Sequence, residues 1–285
     1  MLTYRRFAVV APLILLAIAS IPLVCAGTIV YNDLPSTIPQ SSPSVGFQSN
    51  HTREFGDLIQ PVGGATVLTS GTILMNDQAL FSDWSSFPGA TSSGWSWPLT
   101  LNFYNVVTGT DGNPQVGTLI STTTQTFAIP WRSPTDNGQD FLAVFTLPNV
   151  AVPSEFIYSI TYNTQTFGPN PTGVAGPHES LNVGLNTTAP PQVGTRPFPD
   201  TAYLNADKTL DSSNVPLYYC GAGASDPTPF ARDTGWQTPA VCGGTFSIGA
   251  EFANNVAAAV PEPGTFGLLG FGLLAVGGLI VRRRG

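Results

Sequence analysis

Charge is scarce in this chain of 285 residues, and positive charge is scarcest: there are 10 Lys and Arg against 17 Asp and Glu, together 9 % of the sequence. An ordinary soluble domain carries about 25 %. The shortage excludes a long coiled coil and a helix bundle with salt-bridged faces. It also excludes a nucleic-acid binder, which must neutralise phosphates with Lys and Arg. The chain has only two histidines, His51 and His178, and three cysteines. A zinc site is poorly supported, because those histidines are far apart and lack metal-type spacing. No His-Glu-x-x-His, Gly-x-Ser-x-Gly, phosphate-loop or dinucleotide pattern occurs. Helix-period apolar segments are missing from the body as well.

Glycine (30), proline (26) and apolar residues (42 %, with 11 % aromatic) are present in quantity. Gly and Pro together stay below the roughly 25–30 % at which disorder becomes the default, so a folded, turn-rich body is expected. The charges are unevenly placed. Arg5, Arg6, Arg282, Arg283 and Arg284 lie at the extremities, leaving Arg53, Arg132, Arg196, Lys208 and Arg232 in residues 27–260 with sixteen acids, a net −11. An acidic body repels nucleic acid and anionic lipid and is compatible with solubility, neutral glycans or divalent cations.

The two ends read as addresses. Arg5-Arg6, the apolar run Phe7 to Leu23 and Val24-Cys25-Ala26 form a secretory n-region, h-region and cleavage site, with the cut expected after Ala26 by the Sec route. At the other end, Pro261-Glu262-Pro263-Gly264 precedes seventeen uncharged residues, Thr265 to Val281, and then Arg282-Arg283-Arg284. Seventeen residues span about 25 Å as a helix, the short limit for a bilayer, and the arginines would stay on the cytoplasmic side. Pro261 and Pro263 hold the backbone extended beside the membrane, where a protease can thread it.

Pro261-Glu262-Pro263, the Gly/Leu-rich apolar segment and the arginine cluster resemble the PEP-CTERM sorting signal of Gram-negative bacteria. The resemblance covers residues 260–285. It implies that an exosortase, a membrane-embedded cysteine transpeptidase, processes the chain at Pro261 to Gly264. The tail would then be a temporary membrane anchor, removed before the body reaches the surface or matrix. It also implies an association with exopolysaccharide, biofilm or floc. The body, with Glu54-Phe55-Gly56-Asp57 and Tyr158-Ser159-Ile160, loosely resembles uncharacterised extracellular bacterial domains.

Within the exported body, Cys220 and Cys242 are an even pair and are expected to form one disulfide. The bridge would close a 22-residue loop and contribute about 3 kcal/mol on the entropic account. Alternating apolar and polar residues mark strands at Leu99 to Tyr104, Phe141 to Leu147, Phe156 to Tyr162 and Phe246 to Phe252. Weaker candidates are Val67 to Met75, Val116 to Ile120, Thr124 to Ile129, Leu181 to Leu185 and Leu217 to Tyr219. The 141–147 run is apolar on both faces and suggests a central strand. Phe167 to Pro177 and Ala189 to Pro199 read as long ordered loops. These features predict an all-β, antiparallel, jelly-roll-like sandwich over 27–252, a small-residue spacer over 253–260, and the sorting signal over 261–285.

Candidate functional residues in the body are few. Trp84, Trp95, Trp97, Trp131 and Trp236 lie in loop-like settings. Trp95 and Trp97 share a face if extended, and could stack on a sugar; packing into the core would explain the same residues. Asp207, Asp211, Asn214 and the Asp111-Gly112-Asn113 turn offer oxygen ligands suited to Ca²⁺, although none completes a calcium loop and Asx turns explain them equally well. His51 and His178 read as surface loop residues, Asn50 and Asn186 as chance sequons, and Glu251 as an exposed strand charge that discourages edge pairing. The expectation is a non-catalytic surface or matrix protein, sorted by exosortase and associated with exopolysaccharide. The alternative is a glycoside hydrolase or lyase on the same fold. Intact mass spectrometry of the surface-released protein should give a chain that begins at Gly27 and lacks Arg282 to Arg284.

Overall fold

The structure, a computed structural model, describes residues 27–187, 190–206, 230–236 and 244–254. The expected signal peptide, the expected membrane-spanning segment and the strand expected at 217–219 lie outside the described residues. Among those described, no helix is long and apolar enough to cross a membrane.

Thirteen strands are described: β1 (Thr28–Asn32), β2 (Ser44–Gly46), β3 (Thr52–Ile59), β4 (Thr66–Asp77), β5 (Trp95–Thr108), β6 (Pro114–Ile129), β7 (Gln139–Val152), β8 (Phe156–Thr161), β9 (Leu181–Asn186), β10 (Thr201–Ala206), β11 (Ala231–Thr234), β12 (Ser247–Ile248) and β13 (Ala250–Asn254). One helical turn, α1 (Phe81–Trp84), and a 3-10 turn at Pro177–Glu179 are the helical pieces among them. The first sheet runs β1-β13-β4-β9-β12, with β7 also paired to β4 and β2 to β9. The second runs β11-β10-β3-β8-β5-β6. The pairings are antiparallel.

The period of two decides which residues meet. Leu99, Leu101 and Phe103 on β5 are fully buried, while the intervening Thr100 pairs outward with Thr124 at 2.8 Å between hydroxyl oxygens. On β8 the inward residues are Phe156, Tyr158 and Ile160, which with Phe55 and Ile59 of β3 join the main core cluster. The first sheet meets them through Phe252 of β13, whose ring lies 4.9 Å from Tyr158, 5.7 Å from Phe103 and 6.1 Å from Phe156. These are centroid separations at which tilted aromatic pairs attract beyond their area burial. Gly71 on β4 makes room: a Cβ there would come within 2.9 Å of both Phe252 and Leu101. A second cluster, Leu58, Ile157, Tyr203 and Phe230, lies on the opposite face of the second sheet.

Several expectations change. The strands expected at 116–120 and 124–129 are one strand, β6. β7 is not central: its ladder partner is β4, and Leu142 and Val144 are exposed on its outer face. Its free edge faces β6 at a corner of the two sheets. There Phe127 packs on Phe145 at 4.8 Å, and the Gln125 side chain donates to the Thr146 carbonyl (3.1 Å) and accepts from its amide (3.3 Å). Glu251 lies on β13, which is flanked by β1 and β4, so it guards no sheet edge. Ser247, expected to face out, is buried. β13 is described as far as Asn254, so residues 253 and 254, expected to belong to the spacer, are strand.

Phe252→Ala should lower stability by about 3–5 kcal/mol, the range for emptying a buried aromatic site. Denaturant unfolding of the mature protein measures it, and an unchanged midpoint would contradict the packing described.

Candidate functional site

Three polar or aromatic constellations stand out among the described residues. The first lies between the sheets. Asp57 occupies an inward position on β3, between Phe55 and Ile59, where alternation calls for an apolar residue. It meets Arg196, which enters from the loop before β10: Nε lies 2.5 Å from Asp57 Oδ2 and both side chains are nearly inaccessible. The other guanidinium nitrogens donate to the carbonyls of Phe246 (Nη1, 2.8 Å) and Thr201 (Nη2, 3.2 Å). Asp33, just past β1, is also buried and accepts from Asn186 Nδ2 (2.9 Å) and the Tyr31 hydroxyl (3.4 Å). Burial pushes the Asp57 carboxyl up to about 7 despite Arg196, and it raises Asp33 as well. A pocket of about 560 Å³ opens beside this cluster, lined by Asp33, Thr195, Arg196 and Ser247 with prolines 190 and 199. Each guanidinium nitrogen has a protein oxygen beside it, so Arg196 clamps the 190–200 loop and the start of β10 onto the sheets.

The second constellation is on the opposite face of the second sheet. Glu54 Oε1 accepts from Asn102 Nδ2 (2.6 Å), the Tyr104 hydroxyl (2.8 Å) and the Ser159 hydroxyl. Burial raises its pKa, and the three donors oppose the rise.

The third is aromatic and gathers at one end of the body. Trp95 is only 2 % exposed, its Nε1 donates to Asp77 Oδ2 (3.2 Å), and its ring packs beside Trp131 (6.1 Å) and Phe87 (6.0 Å). A buried ring cannot stack on a sugar, so the expectation of a Trp95 platform is corrected. Trp97 is half-buried and lies 5.9 Å from Trp95, as the shared face implied. One of its faces is covered by His178, parallel within 8° at 4.3 Å. His178 itself is buried rather than a surface loop residue, and burial lowers its pKa. His51 is likewise half-buried and stacks on Phe167 at 5.1 Å. Trp236 belongs to the main core, 5.2 Å from Phe55. Among the rings that reach solvent here are Phe81, exposed, and Trp131, half-buried like Trp84, Phe87 and Trp97 and held by Nε1 donation to the Thr91 carbonyl at 2.7 Å. Phe81 and Trp131 lie 5.9 Å apart. A shallow pocket of about 240 Å³ nearby presents Thr91, Ser93 and Ser96 beside Trp95.

The remaining candidates resolve differently. Asp111 closes an Asx turn by accepting from the Asn113 amide (3.0 Å) and forms an ion pair with Arg232. Asn186, one of the sequons, is buried and bonded to Asp33. Among the described residues no group of three or more His, Cys, Asp and Glu could hold a metal ion. Asp207, Asp211, Asn214, Cys220, Cys242, Pro261, Glu262, Pro263, Gly264, Arg282, Arg283 and Arg284 lie outside the described residues. Sequence reading missed the Asp57–Arg196–Asp33 cluster. Its one signal was an acid at an inward strand position, paired with one of only five basic residues in the body.

Fold and surface together define an all-β body of two antiparallel sheets joined by its last strand to a C-terminal signal. Residues 259–284 match the family described as the PEP-CTERM protein-sorting motif. The motif implies export, an exosortase as the sorting enzyme, and a surface or extracellular location. No curated protein and no solved structure matches the chain.

Burial raises the carboxyls of Asp33, Glu54, Asp57, Asp77, Glu179 and Glu251, with Asp77 at about 7. Each binds its proton more tightly folded than unfolded, so these groups favour the fold at low pH and lose that contribution as pH rises from about 4 to 7. These carboxyls should make the body more stable at pH 5 than at pH 7, opposed by groups such as His178, whose lowered pKa weakens the fold as pH falls through the ordinary histidine range. Asp77→Asn should flatten the slope by up to about 1.4 kcal/mol per pH unit, as read by denaturant midpoints across that window. Arg196→Met should cost about 3–5 kcal/mol at pH 8, and less at lower pH, because protonation of Asp57 removes the charge that loss of Arg196 leaves unpaired.

Proposed function

We propose that the protein is a non-catalytic component of the cell surface or extracellular matrix. Its body associates with exopolysaccharide after an exosortase has processed the C-terminal signal. The observation that carries this reading is the sorting motif at 259–284 attached directly to the last strand of an all-β body. The surface for the glycan is the aromatic end. Phe81 and Trp131 offer ring faces for the apolar side of a sugar, and Thr91, Ser93 and Ser96 offer hydroxyls alongside. A shallow contact of this size suits repeated weak engagement along a polymer, where many copies raise the apparent affinity. The buried carboxyls support a structural assignment: Glu54 has three donors from its own sheet, and Asp57 faces a cation whose nitrogens each have a protein oxygen beside them.

The mature protein, passed over the producing bacterium's own immobilised polysaccharide, should be retained. Phe81→Ala combined with Trp131→Ala should weaken retention at least tenfold while leaving the thermal unfolding midpoint within a few degrees. New reducing ends or unsaturated sugars, lost on changing a single acid, would replace this reading with that of a carbohydrate-active enzyme. Absence of both retention and turnover would leave a coat role without glycan contact.

A further inference from the structure

The body begins and ends at one place. Thr28 pairs with Asn254 and Ile29 with Ala253, and Asn254 Nδ2 donates to Thr66 Oγ1 at 2.8 Å. Residues 255–260 separate Asn254 from Pro261, where processing is expected, and that stretch reaches at most about 25 Å when fully extended. Whatever engages the motif therefore stands within that reach of this pole of the first sheet.

The pole carries exposed apolar side chains. It is built from the start of β1, the turn between β3 and β4, the start of β4 and the end of β7. Its pieces, residues 28–30, 60–68 and 148–154, carry no charged side chain; Glu155 follows directly and accepts from Gln60 Nε2 at 2.7 Å. Three large apolar side chains are exposed there: Val62 (58 %), Val67 (45 %) and Ile29 (39 %). The backbone beneath them is tied down. The Val62 amide donates to the Val30 carbonyl at 2.8 Å, and Val67 sits opposite Ala151 in the β4–β7 ladder. The patch is thus a fixed surface on paired strands.

Resting on the sorting role proposed above, we infer that this pole is a docking surface for the membrane-embedded enzyme that processes the motif. The folded body contributes to recognition alongside the tail. Tethering supplies the missing affinity: a linker this short gives an effective concentration in the millimolar range, so a small apolar contact suffices. A lipid surface fits less well, because headgroup binding draws on Lys and Arg, which these segments lack. A second copy fits less well too, because three side chains fall short of the area a stable dimer buries.

The test uses the full-length chain in the producing bacterium. Val62→Asp with Val67→Asp should slow conversion to the processed form at least threefold in a pulse-chase. Val144→Asp, equally exposed but in mid-strand, should leave the rate unchanged. A photo-crosslinking residue at position 62 should yield an adduct with the processing enzyme, and this arm decides the matter if the double variant fails to accumulate. Processing of the folded double variant at the wild-type rate overturns the inference. So does an adduct with lipid or with a second copy of this chain in place of the enzyme. Pro261→Ala with Glu262→Ala tests the underlying reading separately: normal processing of that variant would refute the sorting role itself, whatever the pole does.

Discussion

Strand β13 occupies the gap between β1 and β4, and without it β1 has no ladder partner among the described strands. Its Phe252 is the side chain around which rings of the second sheet gather, and Gly71 on the neighbouring strand is open for that purpose. The closing element of the core is therefore the last segment of the body to be synthesised, and it pairs with the first. Such sequence-distant pairing carries a loop-closure cost that is offset only when both ends are present. The first sheet can therefore be completed only once the chain is available as far as residue 254. The strand that finishes the sheet is followed immediately by the linker to the sorting motif.

The scarcity of positive charge acquires a structural meaning in the same framework. Two of the five basic residues in the body, Arg196 and Arg232, form ion pairs with Asp57 and Asp111, and each brings a stretch of chain outside the early strands onto the second sheet. Arg196 reaches the interior and holds the carbonyls of Phe246 and Thr201, joining segments from both sheets. A buried pair like this adds little net stability over an apolar replacement, yet it penalises any arrangement that leaves one charge alone. It makes the position of the proline-rich loop specific.

Strands with plain alternation and no charge were legible from sequence: β5, β7 and β8 lie where Leu99 to Tyr104, Phe141 to Leu147 and Phe156 to Tyr162 place them. β3 was not, because Arg53, Glu54 and Asp57 interrupt its pattern. Those charges are accommodated by partners from distant segments, Asn102, Tyr104, Ser159 and Arg196, that no local window contains. The apolar character of both faces of β7 suggested a central strand, whereas the structure leaves Leu142 and Val144 exposed. The aromatic end was partly legible. Spacing put Trp95 and Trp97 together, but it could not reveal that Asp77 and His178 cover them while Phe81 and Trp131 reach solvent. The C-terminal motif was the clearest feature, since its information lies in the order of local chemistry and needs no tertiary context.

The contact of Gln125 with the backbone of Thr146 bears on how the molecule behaves in company. A carboxamide side chain presents the same donor and acceptor as a peptide unit, so on β7 it fills a slot that an incoming strand would otherwise take. Phe127 against Phe145 seals the same corner with bulk. An extended, partly apolar edge left open would invite copies to add to one another in register. Closed in this way, the corner offers no free strand edge for a second copy to extend when copies are held close together.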